Sequence, residues 1–348
     1  MLPLVHLYER DVRRDEPDFN ETCGSFSVIQ KTLEIGLRQL NCYTDNPQKA
    51  DFIGISDSLA LDFSWPDKKT FVIAFIDHIN TISYQHYFAL QRNPNVRIFT
   101  LHQCTANLFK KVNKEAYAIG AGINVDYWIK TKPYNETFSF LSTGFSNYRS
   151  GIDQLIPAFD LAFRNFKNVQ LIIKDTNSNP QFAEKIKEYQ DRGNNIVHIN
   201  KRLRFSEIRD LYSQSQVSCN VLRHSSHGLP LIESSLCGSL CFAGDFDPSN
   251  QLADERYCRL IKPDKEVTVQ SRLDNLLNDW GLYDTFGQLK YFEPPTFWEF
   301  DLHIYAAILV ELYNNWNSYY KDLNKEGDMR QRFNPIHSAK KLVSYLSF

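Results

Sequence analysis

Short apolar runs rich in Val, Ile and Phe recur along the chain, at residues 2–8, 51–56, 70–76, 96–100, 138–143, 168–174, 195–199, 216–222 and 239–243. Stretches with helical spacing separate most of them. In residues 27–40, Val28, Leu33, Leu37 and Leu40 share one stripe, and residues 153–166 and 206–215 supply two further helical patterns. A strand buried on both faces reads as an unbroken apolar run, so this alternation predicts parallel sheets wound with crossover helices. Ser206 is the expected N-cap of the third helix, and Pro157 predicts a kink or a late start in the second. Residues 297–320, FWEFDLHIYAAILVELYNNWNSYY, predict one long amphipathic helix.

A chain of 348 residues exceeds one ordinary core and predicts two domains. The segment KTKPYNET at 130–137 is polar, carries Pro133 and precedes a fresh apolar run, which makes it the expected linker. The expected division is 1–133 for a first α/β domain, 134–295 for a second, and 296–348 for helices packing back on the body.

Composition narrows the class. Hydrophobic residues make up 43% and charged residues 23%, the profile of a folded protein rather than a disordered one. A formal net charge of -2 offers no general attraction to nucleic acid, so a DNA partner would need a local strip such as Lys110, Lys111 and Lys114. Seven cysteines without a CxxC pair predict reduced thiols in a cytosolic compartment. The opening MLPLVHLYERDVRRDE reads as a first strand rather than a signal peptide, and no run approaches the ~18 apolar residues of a membrane span. The expected location is therefore cytoplasmic, in the host if the protein is viral.

The segment VSCNVLRHSSHGLPLIESSLCGSLCFAGD, residues 217–245, reads strand, loop, helix, strand, and its loop has the composition of an anion-binding turn. Gly228 allows close backbone approach to a ligand, and Pro230 suits the first helical position. The N–H groups of Leu231, Ile232 and Glu233 are expected to face a phosphate. Glu233, in that first turn, can accept two hydrogen bonds from a ribose diol while its charge is favoured at the helix N-terminus. His224 and His227 have no Cys or carboxylate nearby to complete a four-ligand set, so no metal site is expected there.

The run GLPLIESSLCGSLCFAGD resembles the nucleotide-sugar signature of the family 4 retaining glycosyltransferases, in which one Glu follows another by eight positions. The resemblance implies an α/β chain of the GT-B fold: two Rossmann-like, doubly wound parallel-sheet domains facing across a cleft. It gives Glu233 the donor ribose, with Gly228, Leu229, Pro230, Leu231 and Ile232 around the donor. The first Glu of the signature is Ser225 here, at a position that normally contacts the donor sugar. Residues 140–175 are similar to the family's strand, basic loop, helix and strand, which sets Arg149 at the diphosphate. The family's Arg-Lys-Gly reads Arg149-Ser150-Gly151, so Lys174 is the expected second cation and Arg223 a third. In the first domain, TCGSFS at 22–27 resembles the family's Gly-rich loop and includes Gly24. AFIDHIN at 74–80 resembles the strand that ends in a His near the donor sugar, here His78. The match is good over 138–265 and loose over the first 130 residues.

The implied activity is transfer of a sugar, with retention of configuration, from a nucleotide-sugar co-substrate, by default a UDP-sugar, to an acceptor that the sequence does not name, with a glycan or DNA as the candidates. Arg149, Lys174, His78 and the helix start after Gly228 would carry it, with no metal and no further cofactor. Two alternatives stay open. One is a phage-type glycosyltransferase acting on modified bases in DNA, and the other is a catalytically silent nucleotide-sugar binding module, to which Ser225 points.

Overall fold

The computed structural model describes residues 2–8, 25–55, 69–74, 81–144, 146–176, 180–225, 227–268, 296–323 and 326–347. These form two compact units. The first holds the described residues up to Tyr127 and from Gly327 onward, and the second those from Trp128 to Glu326.

The first unit is built on strands β1 (Val5–Tyr8), β2 (Phe52–Ile55), β3 (Lys69–Ile73), β4 (Arg97–Thr100) and β5 (Ala116–Ala118). They are hydrogen-bonded in that order and all parallel. Every residue of β2 is buried, which is why its run of apolar residues is unbroken. Helices α1 (Ser25–Gln39), α2 (Tyr84–Arg92) and α3 (Gln103–Lys110) lie between successive strands in the chain, as parallel pairing requires.

The second unit contains β6 (Phe138–Thr143), β7 (Val169–Asp175), β8 (Ile196–Asn200), β9 (Val217–Asn220), β10 (Leu240–Gly244) and β11 (Cys258–Ile261). Their order in the sheet is β11-β10-β9-β6-β7-β8, all parallel. The chain runs outward from β6 to β8, then returns to lay β9 on the other side of β6. That reversal makes the sheet doubly wound, and such sheets bind ligands beside the reversal, at the carboxyl ends of the strands. Among the described residues, the first sheet has no reversal. Helices α4 (Ile152–Phe163), α5 (Pro180–Asp191), α6 (Phe205–Gln214), α7 (Leu229–Leu236) and α8 (Ser249–Leu252) alternate with these strands or follow them in the chain. Phe140, Phe159, Phe163, Leu171, Val217 and Phe242 are fully or almost fully buried in one core.

Several local expectations change. Helix α4 starts at Ile152 and carries Pro157 inside it, so the proline neither delays nor ends it. The N-cap of α6 is Arg204 rather than Ser206, because the Glu207 carboxylate accepts the Arg204 N–H at 2.8 Å. Residues 297–320 are not one helix. Strand β13 (Thr296–Glu299) pairs antiparallel with β12 (Lys265–Thr268), and Asp301 Oδ1 then caps α9 (Leu302–Asn314) by accepting from His303 and Ile304 N–H at 2.8 and 2.9 Å. Helix α10 (Trp316–Leu323) follows, in the second unit.

The segment 130–137 is bound to the second unit. Thr131 N–H donates to Ser213 Oγ at 3.0 Å, Asn135 N–H to the Gln214 carbonyl at 2.9 Å and Tyr134 hydroxyl to the Gly238 carbonyl at 2.5 Å. From Gly327 the chain belongs to the first unit, through α11 (Glu326–Arg332) and α12 (Pro335–Leu346). There Arg330 donates to the Val125 carbonyl at 2.8 Å and Ser338 to that of Gly120 at 3.0 Å. Among the described residues, no helix is long and apolar enough to cross a membrane.

Candidate functional site

Two loops leave the neighbouring carboxyl ends of β6 and β9 at the reversal, residues 144–151 and 221–228. They touch. Arg223 N–H donates to the Arg149 carbonyl at 2.9 Å. Gly151, the N-cap of α4, has φ +65°, and a Cβ on it would stand 2.7 Å from the Val221 carbonyl oxygen. Both the left-handed backbone and the close crossing therefore call for glycine. Gly228, the N-cap of α7, has φ +66°, and a Cβ there would run into Leu252 Cδ1.

Arg223, the implied third cation for the diphosphate, is engaged within the protein. Its guanidinium is buried and grips Asp153 with both arms, at 2.5 and 2.6 Å, while also donating to the Tyr148 carbonyl at 2.9 Å. It lies 4.0 Å from the centre of the Tyr148 ring. Burial opposes its charge, but the attraction and hydrogen bonds of Asp153 outweigh that and raise its pKa. The side chain ties the second loop to the first turn of α4.

Helix α7 begins at Leu229, so Pro230 occupies its second position and Glu233 its fifth, past the first turn. The Leu231 and Ile232 N–H groups donate to the Gly228 carbonyl at 3.1 and 3.3 Å instead of standing open for a phosphate. The side chains of Leu229, Leu231 and Ile232 are in the core. What this helix end offers an anion is its dipole.

Glu233 is 8% exposed, and burial pushes its carboxyl up to about 8, against a smaller opposing effect of its hydrogen bond from Tyr212. That bond is long, 3.5 Å from the Tyr212 hydroxyl to Glu233 Oε2, and the same hydroxyl lies 3.0 Å from Thr143 Oγ1. Glu233 is thus linked through α6 to the last residue of β6. Ser225 is buried within the loop that precedes α7.

Arg149 lies half-buried in the 3-10 turn Tyr148–Ser150. Lys174, at the end of β7, donates to Thr176 Oγ1 at 2.9 Å, and burial lowers its pKa. Lys174 shares a small pocket at the carboxyl ends of β6 and β7 with Thr143, Ser146, Ser150 and Asp175. Gly24 and His78 lie outside the described residues. Reasoning from the sequence missed Tyr212, Thr143 and Asp153. Only Asp153 left a trace, as an acidic residue in the first turn of a helix.

No protein-family model matches the chain, and no curated protein matches its sequence. Its fold, two parallel-sheet Rossmann-like α/β units, matches that of GT-B glycosyltransferase structures. HepE from Anabaena, solved with UDP and glucose, is similar with a TM-score of 0.66 at 12% identity, over 100% of both chains. Sucrose-phosphate synthase from Thermosynechococcus elongatus is similar with a TM-score of 0.60 at 14% identity, over 92% of this chain and 77% of that one. The pneumococcal O-GlcNAc transferase GtfA, solved with UDP and GlcNAc, has a TM-score of 0.61 at 14% identity, over 92% of this chain and 60% of its own. At these identities the likeness is one of fold.

Proposed function

We propose that this protein is a cytoplasmic glycosyltransferase that moves a sugar, with retention of configuration, from a UDP-sugar to an acceptor hydroxyl. The observation that carries the reading is Glu233, a buried carboxyl beside the strand-order reversal of the second sheet, joined through Tyr212 to the end of β6. A ribose diol donating two hydrogen bonds would compensate its burial and favour the charged form. Arg149 and Lys174 belong to the adjoining loop and strand end and supply positive charge for a diphosphate, aided by the dipole of α7. Negative charge grows on the diphosphate as the sugar departs, so positioning and charge stabilisation do the chemistry, with the acceptor entering on the face the diphosphate leaves. The UDP bound in the HepE and GtfA structures supports uridine as the base. The first unit would hold the acceptor.

A second reading, binding of a nucleotide sugar without transfer, is favoured by Ser225 at the signature position and by the engagement of Arg223 with Asp153. Thermal unfolding with a panel of nucleoside diphosphates and their sugars tests the donor site, since a ligand at 100 times its Kd stabilises by about 2.7 kcal/mol. A shift lost in Glu233→Ala supports it. Donor hydrolysis without acceptor then separates enzyme from binder. No shift with any nucleotide, in a folded protein, overturns both readings.

A further inference from the structure

The segment that opens the second unit is laid along helix α6. Trp128 is its first residue, and its buried indole meets two rings on one face of that helix, Phe205 at 6.2 Å and Tyr212 at 6.0 Å between centroids. The residues that follow are tied to the end of the same helix. Lys130 Nζ donates to the Ser213 carbonyl at 3.2 Å, Thr131 N–H to Ser213 Oγ at 3.0 Å and the Thr131 hydroxyl to Asp210 Oδ1 at 2.6 Å.

The Tyr212 hydroxyl lies 3.0 Å from Thr143 Oγ1 and 3.5 Å from Glu233 Oε2. The first is an ordinary hydrogen bond. The second stands at the limit of hydrogen-bond range, where a small movement of the ring decides whether it exists. Ser239 Oγ donates to the Tyr212 carbonyl at 2.6 Å and fixes the backbone, but the ring still swings about its side-chain bonds. The indole closes one side of the space in which it could swing, and a tilted ring contact adds to the area it buries.

We propose that Trp128 is a positioning residue for the donor site: its indole holds the Tyr212 ring so that the hydroxyl reaches Glu233, and so governs how readily Glu233 accepts a ribose diol. The inference rests on the reading of Glu233 as the ribose contact. The bond from Tyr212 favours the ionised carboxylate, the form that accepts two hydroxyl donors. Without the indole the ring relaxes into the vacated space, the bond lapses, and the carboxyl keeps its proton to a higher pH.

Glu233 is the group that changes charge in the range of the test. Facing it are Tyr212 from α6 and Cys237 at the end of its own helix, and burial raises both pKa values. Cys219 and Cys241, on the strands against α7, are pushed up by burial as well. The cations Arg209 and Lys130 face Cys237.

The test is calorimetric titration of UDP, from about pH 7 to about 9.5, where the nucleotide's own phosphate is already ionised, into wild type, Trp128→Leu, Tyr212→Phe and the double variant. Trp128→Leu is expected to bind UDP about threefold more weakly than the wild type near pH 7.5 and nearly equally near pH 9.5, where both carboxyls are ionised. A loss of packing alone weakens binding by one factor across the range. In Tyr212→Phe, which already lacks the hydroxyl, adding Trp128→Leu is expected to change nothing further. Trp128→Phe, which keeps a ring, should retain most of the wild-type profile. Phe205→Leu loosens the indole from its other side and serves if Trp128→Leu fails to fold, with a smaller change in the same direction. A ratio to wild type that does not vary with pH, tighter binding near pH 7.5, or an equal loss with and without the Tyr212 hydroxyl overturns the inference and leaves the donor site standing. No binding of any nucleoside diphosphate by the wild type overturns both.

Discussion

Arg223 and Asp153, 70 residues apart in the chain, form a two-armed ion pair with Nη1–Oδ1 at 2.5 Å and Nη2–Oδ2 at 2.6 Å. Both side chains are almost wholly buried, and the pair joins the loop after β9 to the first turn of α4. The two sides of the strand-order reversal are thereby held to each other.

Breaking this pair should cost far more than replacing it. Asp153→Ala leaves a buried guanidinium without its counter-charge, and a loss of about 3–5 kcal/mol is expected. The double variant Arg223→Met with Asp153→Leu removes both charges and should lose much less. Urea unfolding of the two singles and the double measures this, and additive losses would count against it.

Glu233 should make stability depend on pH. Its carboxyl titrates near 4.5 when unfolded and is pushed up to about 8 when folded. Between those values the folded state binds more protons than the unfolded, so this group's contribution falls as pH rises through the window and is fully lost above 8. Wild type and Glu233→Gln should show a constant thermal stability offset below about pH 4, where the carboxyl is protonated in both states. By pH 8.5 the Gln variant should have gained a few kcal/mol on the wild type. Parallel pH profiles would exclude the effect.

Nucleotide affinity should move the opposite way. If a ribose diol donates to the ionised Glu233, binding strengthens as pH rises towards about 8 and then levels off. Comparison with Glu233→Gln removes the titration of the nucleotide's own phosphate. Tyr212→Phe deletes the hydrogen bond that lowers the Glu233 pKa, so its affinity curve should shift to higher pH. A pH-independent difference between wild type and Glu233→Gln would contradict the proposed contact.

Two glycines with nearly equal φ should differ in their tolerance of alanine. Left-handed backbone costs alanine about 1 kcal/mol at either position. At Gly151 the added methyl also meets the Val221 backbone oxygen, while at Gly228 it meets the far end of the Leu252 side chain, which can rotate away. Gly151→Ala is expected to lose roughly 2–3 kcal/mol and Gly228→Ala less. The reverse order in urea unfolding would refute the account.

Much of the second sheet was legible. The run at 138–143 is β6, and those at 168–174, 195–199, 216–222 and 239–243 overlap β7 to β10; strands covered on both faces, such as β10, must be apolar throughout. The runs missed β11, β12 and β13, four-residue strands that each carry charge alongside the apolar positions. In the site, Gly228 and Glu233 stood out from their local context, while nothing in the sequence paired Arg223 with Asp153, 70 residues away.

By itself, the sequence determined what acts over a few residues: apolar runs, helical stripes, and glycines at the turns that start α4 and α7. Backbone sterics and side-chain period operate at that range. Only the tertiary structure decided that β9 returns beside β6, that Arg223 meets Asp153, that Glu233 is dry enough to hold its proton, and that Ser146 and Asp175 share a pocket. Loop closure costs nearly the same for many alternative pairings, so no local signal names the partner, and desolvation exists only once every neighbour is in place.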